Sequence, residues 1–182
     1  MRVFIAIELP EAVRQKLADL ESELSPVTTS ARWVAPEAIH LTLKFIGELS
    51  ESRLDVIDRA LAGLAWKPFQ VSVQGVGFFP GARSPRVFWA GLAASTMAGL
   101  AQEIDTRLER FGFDREKRAF RPHVTLARAR DTRLDAALVE SARRFEEIDC
   151  GSFSVDRCCL IQSTLKPAGA VYTRLKEYIL DK

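Results

Sequence analysis

The chain contains two histidines, His40 and His123, and both open the same four-residue pattern: His40-Leu41-Thr42-Leu43 and His123-Val124-Thr125-Leu126. If positions are treated as independent, the chance that both carry Thr two residues on and Leu three residues on is on the order of a few in a hundred thousand. An imidazole ordinarily titrates near pH 6.5, so it can give or take a proton near neutrality. Phosphodiester chemistry asks this of two groups at once. One must take a proton from the attacking oxygen while the other supplies one to the departing oxygen. In-line displacement puts those oxygens on opposite sides of phosphorus, which requires ring nitrogens roughly 6–9 Å apart across a shared cleft.

Side chains on a strand alternate between faces, so in each segment His and Thr project to one side while Leu41, Leu43, Val124 and Leu126 project to the other. The apolar side can anchor each strand against helices and hold the polar side rigid. Thr42 and Thr125 then sit beside the imidazoles, where each hydroxyl can donate to a non-bridging phosphoryl oxygen as charge builds up. A lone histidine is more often structural, and a lone threonine is a good strand former. The symmetric pairing favours the catalytic interpretation over both.

The rest of the composition narrows the class. The chain has 182 residues, 47% hydrophobic and 27% charged, a profile expected of an ordinary globular protein and here of a single unit over residues 1–182. The opening Met1-Arg2-Val3-Phe4-Ile5-Ala6-Ile7-Glu8 is too short in apolar residues for a signal segment or a membrane span, so a cytoplasmic location is expected. Cys150, Cys158 and Cys159 are odd in number and lack metal spacing; reduced structural thiols are expected. Cys158 and Cys159 should face opposite sides of one strand. No glycine-rich phosphate loop occurs, and no nucleotide cofactor or metal is implied. A formal charge of +2 does not indicate nucleic-acid binding, yet Arg115, Lys117, Arg118, Arg121, Arg128 and Arg130 bracket His123 and Lys44 follows His40, which concentrates positive charge around both motifs.

The elements that position these residues read as follows. Val3–Leu9 is a strand stopped by Pro10, which opens a helix with Val13, Leu17, Leu20 and Leu24 on one stripe. Trp33–Val34 is extended, and His40–Ile46 is a strand turning at Gly47. Ser50 is expected to cap a helix with Leu54, Ile57 and Leu61 inward. Strands follow from Phe69 to Phe79, with glycines that suggest bulges or close contacts, and from Val87 to Leu92. Ser95 is expected to cap the longest helix, whose stripe of Met97, Leu100, Ile104, Leu108 and Phe111 ends at Gly112. Pro122–Ala127 is a strand, Thr132 opens a helix through Leu134, Leu138 and Phe145, and Phe153–Ile161 and Val171–Leu180 are two closing strands. This order, βα-ββα-ββα-βα-ββ, is a mixed α/β pattern of the α+β type with helices on one side of the sheets. Both motif strands are followed by a loop and a helix, and the motifs lie 123 − 40 = 83 residues apart, which is consistent with one internal duplication.

The paired motifs, with Arg2-Val3-Phe4-Ile5-Ala6, Arg32-Trp33-Val34, Lys44-Phe45-Ile46-Gly47, Gly75-Val76-Gly77-Phe78-Phe79-Pro80, Arg86-Val87-Phe88-Trp89-Ala90-Gly91 and Arg121-Pro122 through Ala127-Arg128, resemble the two-histidine phosphoesterase superfamily. Within it the chain is most similar to the RNA 2′,3′-cyclic phosphodiesterase branch, formerly called 2′-5′ RNA ligase. The resemblance implies a bilobal fold of two pseudo-symmetric antiparallel sheets, each backed by helices, with the active cleft between the lobes. It implies hydrolysis of a terminal 2′,3′-cyclic phosphate to a 2′-phosphomonoester without cofactor or metal, His40 donating a proton to the 3′ oxygen and His123 activating water, with weak ligation as the reverse. The implied partner is RNA with a cyclic phosphate end, or a small cyclic nucleotide, met by a monomer away from membranes. A binding module without turnover is the alternative.

By the same resemblance, the arginine after the second motif, Arg128, helps hold the phosphate. Simple alternation puts it on the leucine face. Either a bulge or the strand end re-aims it, or Arg130 or Lys44 takes that part.

Overall fold

A computed structural model describes residues 1–166 and 169–180. Nine strands lie in them: β1 (Arg2–Glu8), β2 (Ala31–Trp33), β3 (His40–Glu48), β4 (Phe69–Phe79), β5 (Val87–Ala93), β6 (His123–Ala129), β7 (Asp149–Val155), β8 (Arg157–Lys166) and β9 (Gly169–Ile179). Four α-helices accompany them: α1 (Glu11–Leu24), α2 (Leu54–Leu61), α3 (Met97–Arg110) and α4 (Ala136–Ala142). Every strand pairing is antiparallel, in the order β7-β4-β5-β6-β3-β1-β8-β9, with β2 on β6.

Two halves are evident in that order. One is β7-β4-β5-β6 with β2, the other β3-β1-β8-β9, and they are joined where β3 meets β6 through the pair Leu41–Val124. The expected pair of antiparallel sheets with helical backing is therefore present, fused edge to edge into one sheet. The helices are exchanged between halves. Helix α1 leaves β1 but packs on β7 and α4, while α3 leaves β5 and packs on β3 and α2.

Local chemistry explains most boundaries. Pro10 occupies the N-cap of α1, and Val13, Leu17, Leu20 and Leu24 are all buried. Helix α3 buries Met97, Leu100, Ile104 and Leu108, and the chain turns away two residues past its end at Gly112, where φ is +82°, a conformation that glycine adopts without steric cost. Its expected continuation fails at Phe111, which is 39% exposed because the helix has ended at Arg110. Ser50 and Ser95 do not cap. The chain makes a 3-10 turn at Glu51–Arg53 before α2, and Thr96 precedes α3 with no side-chain cap bond. Helix α4 starts later than Thr132. Asp135 caps it by accepting from the Leu138 N–H, and Phe145 falls in a following 3-10 turn.

The closing segment holds three strands rather than two. Asp156 interrupts the run expected to extend from Phe153 to Ile161, so β7 joins one half of the sheet and β8 the other. Cys158 lies in the main core and Cys159 in a small second cluster with Phe4, Ala6 and Ile161, on opposite faces as alternation requires. All three cysteines are free and buried. The glycines of β4 do make bulges and close contacts. Register shifts at Gly75, where φ is +69°, and a side chain at Gly77 would collide with the Trp89 ring.

Candidate active site

Strands β3 and β6 present the two motifs as alternation predicts. Leu41, Leu43, Val124 and Leu126 are buried in the core against the helices, while His40, Thr42, His123 and Thr125 are partly exposed on the other face. Leu41 pairs with Val124 in antiparallel register. Continuing that register by one residue in each direction sets His40 across from Thr125 and Thr42 across from His123. The two histidines are then diagonal cross-strand neighbours on one face, a relationship that spaces residues about 7–8 Å apart.

The imidazoles are tethered alike. His40 Nδ1 lies 2.7 Å from the Ala38 carbonyl oxygen and His123 Nδ1 lies 2.7 Å from the Arg121 carbonyl oxygen, each two residues upstream. A carbonyl can only accept, so Nδ1–H donates and Nε2 is left for chemistry. Aromatic rings frame both. Phe4 stacks on His40 at 4.6 Å and Tyr172 meets it edge-on at 4.9 Å, while Phe79 meets His123 edge-on at 4.9 Å. Burial among these rings pushes the His40 pKa down. The Ala38 carbonyl opposes that shift, Arg128 adds to it and Glu8 opposes it.

Arg128 reaches this face through a β-bulge. Along β6, Phe88 pairs with Ala127 but Trp89 pairs with Thr125, so Leu126 is the extra residue and alternation changes phase after it. Arg128 is therefore exposed on the histidine side, near enough to bear on the His40 charge. Strand β3 repeats the device. Ile5 pairs with Lys44 and Ala6 with Thr42, leaving Leu43 extra and returning Phe45 to the histidine face.

The other cations considered from sequence are engaged elsewhere. Lys44 is buried, 2.5 Å from Asp105 and bonded to the Asp114 carbonyl, so it does not contact a ligand on the histidine face. Arg130 donates to the Ala31 carbonyl. Arg115 pairs with Asp105 and Glu109, and Arg118 pairs with Glu116. Of the seven cations expected around the motifs, Lys44, Arg115 and Arg118 are thus ion-paired. Among the described residues, Arg121 and Arg128 have no ion pair, and no cluster of three or more His, Cys, Asp or Glu side chains is placed to hold a metal ion.

Sequence patterning missed the aromatic frame. Phe4 and Tyr172 lie on strands far from His40 in the chain, and only the pairing of β1 with β3 and the return of β9 bring them to it. Phe4 was signalled by β1 being apolar on both faces, which implies that each face is covered.

Two consecutive segments, residues 7–89 and 92–172, each match the model of the family described as LigT like Phosphoesterase. The chain belongs to the LigT-like phosphoesterase family. Each matched segment contains one H-x-T-L motif, so the duplicated geometry has its counterpart in the family pattern. Among curated LigT-like relatives, the RNA 2′,3′-cyclic phosphodiesterase of Archaeoglobus fulgidus is 34% identical over 179 residues, covering 98% of this chain and 99% of that protein. Among solved structures, TT0787 of Thermus thermophilus aligns with a TM-score of 0.83 and 31% identity over 99% of this chain and 98% of that one. Escherichia coli LigT complexed with 3′-AMP aligns with a TM-score of 0.79 and 26% identity, over 100% and 98%. Among the described residues, no helix is long and apolar enough to cross a membrane.

Proposed function

We propose that this protein hydrolyses the 2′,3′-cyclic phosphate at the end of an RNA to a 2′-phosphomonoester, by acid and base catalysis from His40 and His123 across one cleft. A water oxygen attacks phosphorus and the bond from phosphorus to the 3′ oxygen breaks. Nε2 of His123 takes the proton of the water, and Nε2 of His40 delivers a proton to the departing 3′ oxygen. Thr42 and Thr125, one from each motif, donate to the non-bridging oxygens, and Arg128 supplies positive charge where negative charge accumulates. Exchange with solvent returns both imidazoles to their starting states.

The observation that carries this is the Leu41–Val124 pairing together with the matched Nδ1 tethers, which leave two free Nε2 atoms on one face. The names of the relatives supply the substrate class: several at 28–35% identity are RNA 2′,3′-cyclic phosphodiesterases. The reverse course joins a cyclic phosphate end to a hydroxyl and gives 2′-5′ ligation. The protein acts as a monomer in the cytoplasm, a reducing compartment that suits its three free thiols.

The test is incubation with an oligoribonucleotide ending in a cyclic phosphate, in chelator. A 2′-phosphate product is expected, with losses of at least about 10²-fold for His40→Ala and for His123→Ala, the lower range for removing a general acid or base. Full activity in either variant overturns the mechanism. Binding without turnover in the wild-type protein leaves it a nucleotide-binding module, and preference for 2′,3′-cyclic AMP over RNA moves the substrate to small cyclic nucleotides.

A further inference from the structure

The two halves of the cleft are built alike except at a few positions, and the β-ladders say which. On one side Phe45, Thr42 and His40 of β3 pair with Phe4, Ala6 and Glu8 of β1. On the other, Arg128, Thr125 and His123 of β6 pair with Val87, Trp89 and Gly91 of β5. The bulges fall at equivalent places, so the positions correspond one to one. Glu8 stands across from His40 where Gly91 stands across from His123.

Directly opposed residues of an antiparallel pair project to the same face with Cβ atoms about 4.5–5.5 Å apart, which puts Glu8 on the same face as His40, directly across from it. Glu8 does not swing freely. Arg174 of β9 holds it at 2.6 Å and is itself paired with Glu177. The opposite half cannot copy this arrangement, because a Cβ on Gly91 would come within 2.8 Å of the Gln74 carbonyl oxygen. Sterics therefore exclude a carboxylate beside His123 at that position.

We propose that Glu8, held by Arg174, is a positioning residue that makes the two halves of the cleft chemically unequal and assigns the proton-donor part to His40. An imidazole that must arrive protonated at a site crowded by Phe4 and Tyr172 and facing a cation needs a compensating anion. Glu8 is that anion. The titratable and charged groups that face His40 are Glu8 from β1, Arg128 and His123 from β6 and Tyr172 from β9. Behind Glu8 stand Arg174 and the Cys159 thiol, 3.9 Å from its carboxylate. Of the charged groups, Glu8 raises the His40 pKa and Arg128 lowers it, both beneath the larger depression from burial.

The consequence for turnover rests on the cyclic-phosphate function proposed above, whereas the electrostatic coupling does not, and the experiment separates them. The imidazole signals of the substrate-free protein are titrated by NMR, the two residues being told apart with His123→Gln. In Glu8→Gln the His40 midpoint is expected to fall by about 0.5 pH unit or more, with His123 moving less than about 0.2 unit and Glu8→Asp staying near wild type. The same shift makes kcat/KM fall about threefold or more on the alkaline side of the pH profile, where protonated His40 is scarce, and leaves the acidic side unchanged. Glu8 is exposed, so the amide should not disturb the core; Glu8→Ala gives a second measurement with the same expected sign. An unmoved His40 midpoint, equal movement of both histidines, or loss confined to the acidic side overturns the proposal. Absence of cyclic-phosphate hydrolysis in the wild-type protein overturns the function instead, and the titration still decides whether Glu8 sets His40.

Discussion

Leu41 and Val124 are cross-strand partners, and through that pair the two halves of the sheet meet. Neither residue faces a substrate, yet their contact sets where the residues beside them project. Because each is flanked by His and Thr, burying the two apolar side chains in the common core brings both polar pairs onto the other face. Core packing thus decides how the two motifs face one another, and the helices beneath the seam help to set that geometry.

The acid side of the stability profile should carry a His40 signature. Burial, the larger cause, and the nearby Arg128 hold its pKa below the ordinary value near 6.5, so the unfolded chain takes up a proton first. Stability is then complete above about pH 6.5 and declines as pH falls through the lowered folded value, levelling below it. Melting temperatures of wild type and His40→Gln between pH 7.5 and 5 check this; the variant should lose the decline due to this residue.

Arg128 should matter to both binding and titration. Arg128→Ala is expected to lower kcat/KM about 10²-fold, in the range for removing one group that stabilises transition-state charge, with Arg128→Lys recovering only part because a point charge replaces a bidentate fork. Arg128→Ala should also raise the His40 midpoint, since one depressing charge is gone. Thr42→Val and Thr125→Val should each lower kcat by about 10²-fold without changing stability beyond the range of surface substitutions.

The buried pair Lys44–Asp105 should prove structural rather than ligand-binding. Its side chains are 4% and 12% exposed, and Asp105 also accepts from the Glu116 N–H. Asp105→Ala strands the Lys44 ammonium and should cost about 3–5 kcal/mol in denaturant unfolding. The double variant Lys44→Met with Asp105→Leu should be clearly less destabilised, because no uncompensated charge remains. As the pair pins the segment leading to His123, kcat/KM should fall in Asp105→Ala even where the protein stays folded.

The thiols should be inert until the protein unfolds. Burial pushes Cys158 up to about 12 and Cys159 to about 11, and raises Cys150 as well. At neutral pH a disulfide reagent should react slowly with native protein and rapidly with all three thiols in denaturant. Fast labelling of any of them in the native state would contradict their burial.

What could be known from the chain alone was what is periodic and local. The repeated H-x-T-L segments, the leucines on the opposite face and the spacing of 83 residues are visible in one dimension because strand alternation converts sequence directly into faces. The stripe of α1 and the stop at Gly112 are equally local. Tertiary structure decided what depends on a partner strand. The bulges at Leu43 and Leu126 arise from cross-strand register, so alternation alone placed Arg128 on the wrong face and could not choose among Arg128, Arg130 and Lys44. Lys44 found its counter-ion 61 residues away, α1 and α3 packed on the halves they did not come from, and β7 parted from β8 to opposite halves of the sheet. Phe4, Tyr172 and Glu8 reached His40 by the same route. Such contacts are set by the free energy of closing the whole sheet over one core, which no local window of residues contains.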